Sequence, residues 1–128
     1  MFKRRRAKVL FVATILIADP DPATGSLLEV LVLRLGHRPI GQWELAEDET
    51  PDLMLLEPAS RAGLRQALQL RDRNREMPIL CVSIDPPCDE FRELGVSGHV
   101  MKPFRRSQLE RAIESALIPV AEGFEARI

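Results

Sequence analysis

Short apolar runs separated by amphipathic stretches divide the chain, each run about the length of one strand. The tightest is Leu53-Met54-Leu55-Leu56, entered by Pro51-Asp52 and closed by Glu57-Pro58. A run that short, bounded by turn residues, predicts a strand buried on both faces. Residues 9–18 contain a single polar side chain, Thr14, and predict the first strand, with 14–18 in the sheet proper. Residues 38–43 predict the second, where Pro39 and Gly41 suit an edge better than an interior position. Residues 79–83, after Pro78, and 98–101 predict the fourth and fifth.

Between these runs the period becomes helical. Asp21 before Pro22 predicts an N-cap and a first helical position. Leu27, Leu28, Leu31 and Leu35 recur on one face up to Gly36, a helix stop. Val30 and Leu33 lie elsewhere on that helix, so it is expected to be covered on more than one side. Residues 44–50 leave room for two helical turns at most. Residues 61–74 predict a helix with Leu64, Ala67, Leu68 and Arg71 in register, and 88–94 a short one closed by Gly95. Ser107-Gln108-Leu109-Glu110 reads as a capping box. It opens a last helix that turns Leu109, Ile113 and Leu117 inward and is expected to stop at Pro119. Strands alternating with helices imply an α/β domain with a parallel sheet, right-handed crossovers and helices on both faces.

Composition narrows the class. A chain of 128 residues is one domain with room for a sizeable core. The net charge of −1 gives no global attraction to nucleic acid or to an anionic membrane, and neither is expected as a partner. Cys81 and Cys88 form no framework and no zinc motif, so a reduced, cytoplasmic protein is the default. The exception to the even charge is the start, with Lys3, Arg4, Arg5, Arg6 and Lys8 ahead of the first apolar run. That order resembles an export signal. No small-x-small cleavage site follows, however, and ten apolar residues are too few to span a bilayer. A basic arm leading into a buried strand is the reading preferred.

Parallel strands point one way, so Asp19, Glu57, Ser83 and Lys102, each at the end of a strand, should emerge at one edge of the sheet. Open parallel sheets place their sites there. Two carboxylates, a hydroxyl and an ammonium suit a phosphoryl group or a cation. Singly, each has an ordinary role as helix cap, turn former or solvated charge; only their joint arrival points to a site.

From about residue 14 to residue 117 the chain resembles the receiver domains of two-component response regulators (CheY-like). The resemblance rests on Ile15-Leu16-Ile17-Ala18-Asp19, Pro51-Asp52-Leu53-Met54-Leu55-Leu56, Pro78-Ile79-Leu80-Cys81-Val82-Ser83, and the segment from Gly95 to Lys102-Pro103-Phe104. It implies a flavodoxin-like fold, a five-stranded parallel sheet of order 2-1-3-4-5, with the second helix shortened or absent because the chain from Gly36 to Pro51 is short. Residues 1–13 would be the arm and the start of strand one, 14–118 the receiver-like domain, and 119–128 a C-terminal tail. The function implied is signalling rather than enzymatic: a phosphorelay module working through protein partners, a histidine kinase or an output domain among them. A homodimer through the face of the family's fourth helix, fifth strand and fifth helix would use Phe91, Leu94 and Arg111.

Carried over residue by residue, Asp19 falls on an acidic Mg²⁺-binding position, Ser83 on the hydroxyl that holds a phosphoryl oxygen, and Lys102 on the lysine that pairs with its charge. Glu57 stands where the phosphoacceptor aspartate belongs, Pro20 where a second acidic residue belongs, and His99 where an aromatic side chain switches. An added methylene displaces the nucleophile by about 1.5 Å, and misplacement on that scale costs about 100-fold in rate. Proline supplies neither a carboxylate nor an N–H, and Mg²⁺ demands near-ideal octahedral oxygen ligands. Asp21 is a substitute only if the chain stays extended. The expectation is therefore a pseudo-receiver, phosphorylated poorly or not at all, with no cofactor, Mg²⁺ weak or absent, and Asp19 and Glu57 as the ligands if a metal binds. Glu57 either pairs with Lys102 and imitates the phosphorylated state, or merely caps the surface. His99 is expected to pack rather than titrate. The rivals are a receiver phosphorylated in an unusual acidic pocket and a small flavodoxin-like cofactor binder. Against the latter, no glycine-rich loop follows strand one and no nucleophile–histidine pair is visible.

Overall fold

A computed structural model describes residues 11–85 and 94–126. Its elements are β1 (Thr14–Ala18), α1 (Pro22–Arg34), β2 (Arg38–Gly41), β3 (Leu53–Leu56), α2 (Arg61–Arg73), β4 (Ile79–Ser83), β5 (Gly98–Met101) and α3 (Arg106–Ala126). The strands pair in parallel in the order β2-β1-β3-β4-β5, which puts the proline-bearing β2 at an edge, as expected. The short helix expected over residues 88–94, with Cys88 and Phe91, lies largely outside the described residues.

Alternation along the buried strands sorts their side chains into two cores. Ile15, Ile17, Leu53, Leu55, Leu80, Val82 and Val100 meet Leu28, Leu31 and Val32 of α1 and Leu109, Ile113 and Leu117 of α3. Leu16, Met54, Leu56, Ile79 and Cys81 turn the other way, onto Ala67 and Leu70 of α2 with Ile40, Met77 and Leu94. Each fully buried leucine contributes about 2 kcal/mol of transfer free energy.

Asp21 caps α1 through the Thr24 amide, and the helix ends before Gly36, whose φ of +85° is the left-handed conformation that glycine adopts at least cost. The buried face of α1 is Leu28, Leu31 and Val32; Leu27, Val30 and Leu33 are exposed, so this helix is covered on one side, not several. In α2 the inward residues are Gly63, Ala67 and Leu70, and Leu68 faces outward.

The expected cap at Ser107 and stop at Pro119 are corrected, while the second helix takes the absent form of the two that the resemblance implied. No helix forms between β2 and β3. Two turns take its place, closed by Glu44 N–H to the Gly41 carbonyl and Glu49 N–H to the Ala46 carbonyl, with both glutamates bonding back to the same residues' N–H groups. The last helix begins at Arg106, with Ser107 inside its first turn, and runs through Pro119 to Ala126. Leu117, Val120 and Phe124 hold it beyond the proline, Val120 against the core and Phe124 against Phe11 with ring centroids 5.2 Å apart. Arg71 donates to the carbonyls of Leu94, Asn74, Arg75, Met77 and Gly95 and so fastens α2 to the approaches of β4 and β5.

Candidate functional site

The four polar strand ends meet because the hydrogen-bond ladders continue one residue past the strands. Glu57 N–H donates to the Ala18 carbonyl (3.0 Å) and Lys102 N–H to the Ser83 carbonyl (2.9 Å). Asp19, Glu57, Ser83 and Lys102 therefore sit side by side at the C-terminal edge of β1, β3, β4 and β5.

Lys102 Nζ lies 2.8 Å from Asp19 Oδ2 and 2.8 Å from Glu57 Oε1. The Asp19 and Glu57 side chains are 2% and 9% exposed, so the bridge is largely shielded from water. Glu57 Oε2 accepts the Ala59 N–H at 3.0 Å, and the Ser83 hydroxyl, which accepts the Asp85 N–H at 3.1 Å, lies near the carboxylate. Burial pushes the Glu57 pKa up, but the bonds from Lys102 and Ala59, the Lys102 charge and the Ser83 hydroxyl outweigh it and hold the group below its usual value. Burial likewise lowers the Lys102 pKa, and Asp19 and Glu57 together more than reverse this. The cluster is two carboxylates sharing one ammonium, with a net charge of −1 (two negative, one positive).

The neighbouring candidates are placed otherwise. Pro20 is exposed. Asp21 turns its carboxylate to the Thr24 amide and hydroxyl, which lower its pKa, while its N–H donates to Asp19 Oδ1. It is engaged as the helix cap. His99 is half-buried on β5, with Nε2 buried and without a hydrogen-bond partner among the described residues. Leu94 is 1% exposed, which removes it from any docking face, and Phe91 lies outside the described residues. The sequence reading overlooked the Ala59 amide, whose only signal was its position two residues after Glu57.

No protein-family model and no curated protein matches the sequence. Solved structures match well. The chain superposes on the non-phosphorylated HemR receiver domain from Leptospira biflexa with a TM-score of 0.71, at 19% identity over 82% of this chain and 94% of that one. For a CheY-like response regulator receiver domain protein from Methanospirillum hungatei the score is 0.76, at 18% identity over 88% and 99%. Against NtrX from Brucella abortus in complex with ADP it is 0.68 at 21% identity, and this chain spans 29% of that protein's length.

This is the receiver fold. Its sheet order is the one the resemblance implied. Within the receiver fold the chain lacks a helix between β2 and β3. The Mg²⁺ that the resemblance implies does not suit the residues present. The two carboxylates at the rim are already joined by Lys102, Pro20 contributes no side-chain donor, and no group of three His, Cys, Asp or Glu converges among the described residues. No helix among the described residues is long and apolar enough to cross a membrane.

Proposed function

We propose that the chain is a receiver-type signalling module of a two-component phosphorelay, that it is not phosphorylated in the usual way, and that it acts by contact with other proteins in the cytoplasm. The observation that carries this reading is the set of donors around Glu57. Its carboxylate accepts from an ammonium and a main-chain N–H, with the Ser83 hydroxyl near it, groups that suit the oxygens of a phosphoryl group. The rim is thus held by a fixed negative charge of one unit where a phosphoryl group would bring nearly two. An electrophilic phosphorus approaching Glu57 would have to displace Lys102 and the Ala59 N–H from the attacking oxygens, without a metal site to draw it in.

A pseudo-receiver fixed in this way needs no phosphodonor to present its surface. The partners it suits are a histidine kinase or an output domain, and a second copy meeting it across β5 and α3. The test is incubation with acetyl phosphate and Mg²⁺, read by intact mass. The expected result is an unmodified protein, while the Pro20→Asp/Glu57→Asp double variant gains a phosphoryl group. Stoichiometric phosphorylation of the unaltered chain, abolished by Glu57→Gln, would overturn the proposal in favour of a working receiver with an unusual acidic pocket.

A further inference from the structure

Next to the rim, above the C-terminal ends of β1 and β2, the described residues surround a cleft of about 550 Å³. Its walls are the first turns of α1, the chain leaving β2 and the start of α2. Asp19, Glu29, Ser26, Ser60, Gln42 and Trp43 are the polar and aromatic groups lining it, and no lysine or arginine does. It lies outside the carboxyl ends of the strands, where open α/β sheets bind ligands. Its volume falls within the range of about 300–1,000 Å³ typical of ligand pockets.

Two observations identify the chemistry of an occupant. Trp43 is 81% exposed, an indole held in water on a loop that no helix covers; the face of an indole attracts cations. Glu29 is exposed at the wall, and Asp19 belongs to a cluster that keeps one net negative charge after Lys102 is counted. An anion would meet repulsion from both sides.

We propose that this cleft binds an arginine or lysine side chain carried by a basic peptide segment of a partner protein. The cation lies against Trp43 and faces Glu29, with the net negative charge of the Asp19–Glu57–Lys102 cluster behind it. The inference stands apart from the phosphorelay reading, since it holds whether or not Glu57 takes a phosphoryl group.

Trp43 is the one tryptophan of the chain, so its emission reports occupancy directly. The full chain is titrated with a peptide of its own residues 2–8 as a basic probe, with the same peptide carrying glutamine at every lysine and arginine, and with N-acetyl-arginine amide. The basic peptide is expected to give a saturable shift, the arginine amide a weaker one and the glutamine peptide none. At fixed salt, Glu29→Gln weakens the basic peptide about fivefold, whereas Glu122→Gln on distant α3 leaves it unchanged. A response equal for the basic and glutamine peptides, or no saturable response to any probe, would overturn the proposal. So would equal losses in the two glutamate variants, which would mark diffuse charge attraction. Binding of the arginine amide as tight as that of the basic peptide would assign the cleft to a small free cation and overturn the peptide assignment.

Discussion

Replacing Lys102 by methionine leaves Asp19 and Glu57 buried side by side without their shared cation. Removing one partner from a buried ionic cluster is strongly destabilising, and a loss of about 3 kcal/mol is expected in urea unfolding at neutral pH. Glu57→Gln is expected to cost only about 1 kcal/mol, because the amide oxygen still accepts a hydrogen bond and Asp19 still balances the ammonium. The pH dependence follows from the directions of the shifts. The Glu57 pKa is depressed from 4.5, so its contribution is complete above that value and is lost as pH falls through the lowered one. The Lys102 pKa is raised from 10.5, so its contribution is complete below that value and disappears as pH rises through the raised one. Unfolding midpoints of the unaltered and Glu57→Gln proteins should therefore converge in acid and stay apart at neutral pH.

At the scale of elements, Gly36→Ala forces an alanine into the left-handed turn after α1, where a Cβ meets nothing within 4 Å but the backbone itself is strained. The expected cost is about 1 kcal/mol, read as a lower thermal midpoint. The strands and the capped start of α1 were legible because Asp21-Pro22 and the short apolar runs are local signals. Which face of α1 is inward was not. Leucine or valine stands at 27, 28, 30, 31, 32, 33 and 35, so period alone cannot choose among them, and the choice falls to the sheet and α3. Pro119 misled for a related reason. It removes one N–H from α3, a local loss that the packing of Leu117, Val120 and Phe124 on either side offsets.

At the scale of the whole molecule, the approach to β1 is tied to the last turns of α3. Phe11, just before β1, meets His37 at 6.1 Å between ring centroids and Phe124 of α3 at 5.2 Å. The Ala13 N–H donates to His37 Nδ1 at 3.0 Å, which requires that nitrogen to be unprotonated. Burial lowers the His37 pKa from 6.5, against the opposing pull of Glu114 and Asp52. Between the lowered value and 6.5 the unfolded chain binds more protons, so stability declines as pH falls through that window. Hydrogen exchange at Ala13, corrected for its intrinsic pH dependence, should speed up on acidification, and His37→Asn, which keeps an acceptor but does not titrate, should remove that step.

What the sequence determined by itself was local or periodic. The five strands, the capped α1, the crossover pattern and the arrival of Asp19, Glu57, Ser83 and Lys102 at one rim follow from residue spacing and from strands running one way. Tertiary structure alone decided that a single ammonium binds both carboxylates, that the Ala59 amide completes the cradle around Glu57, and that Trp43 and Glu29 face a common cleft. The ammonium meets carboxylates 45 and 83 positions away, the Ala59 amide turns back on Glu57 only because the chain bends there, and the cleft needs a loop left uncovered; no pattern within one segment records the distance between two others.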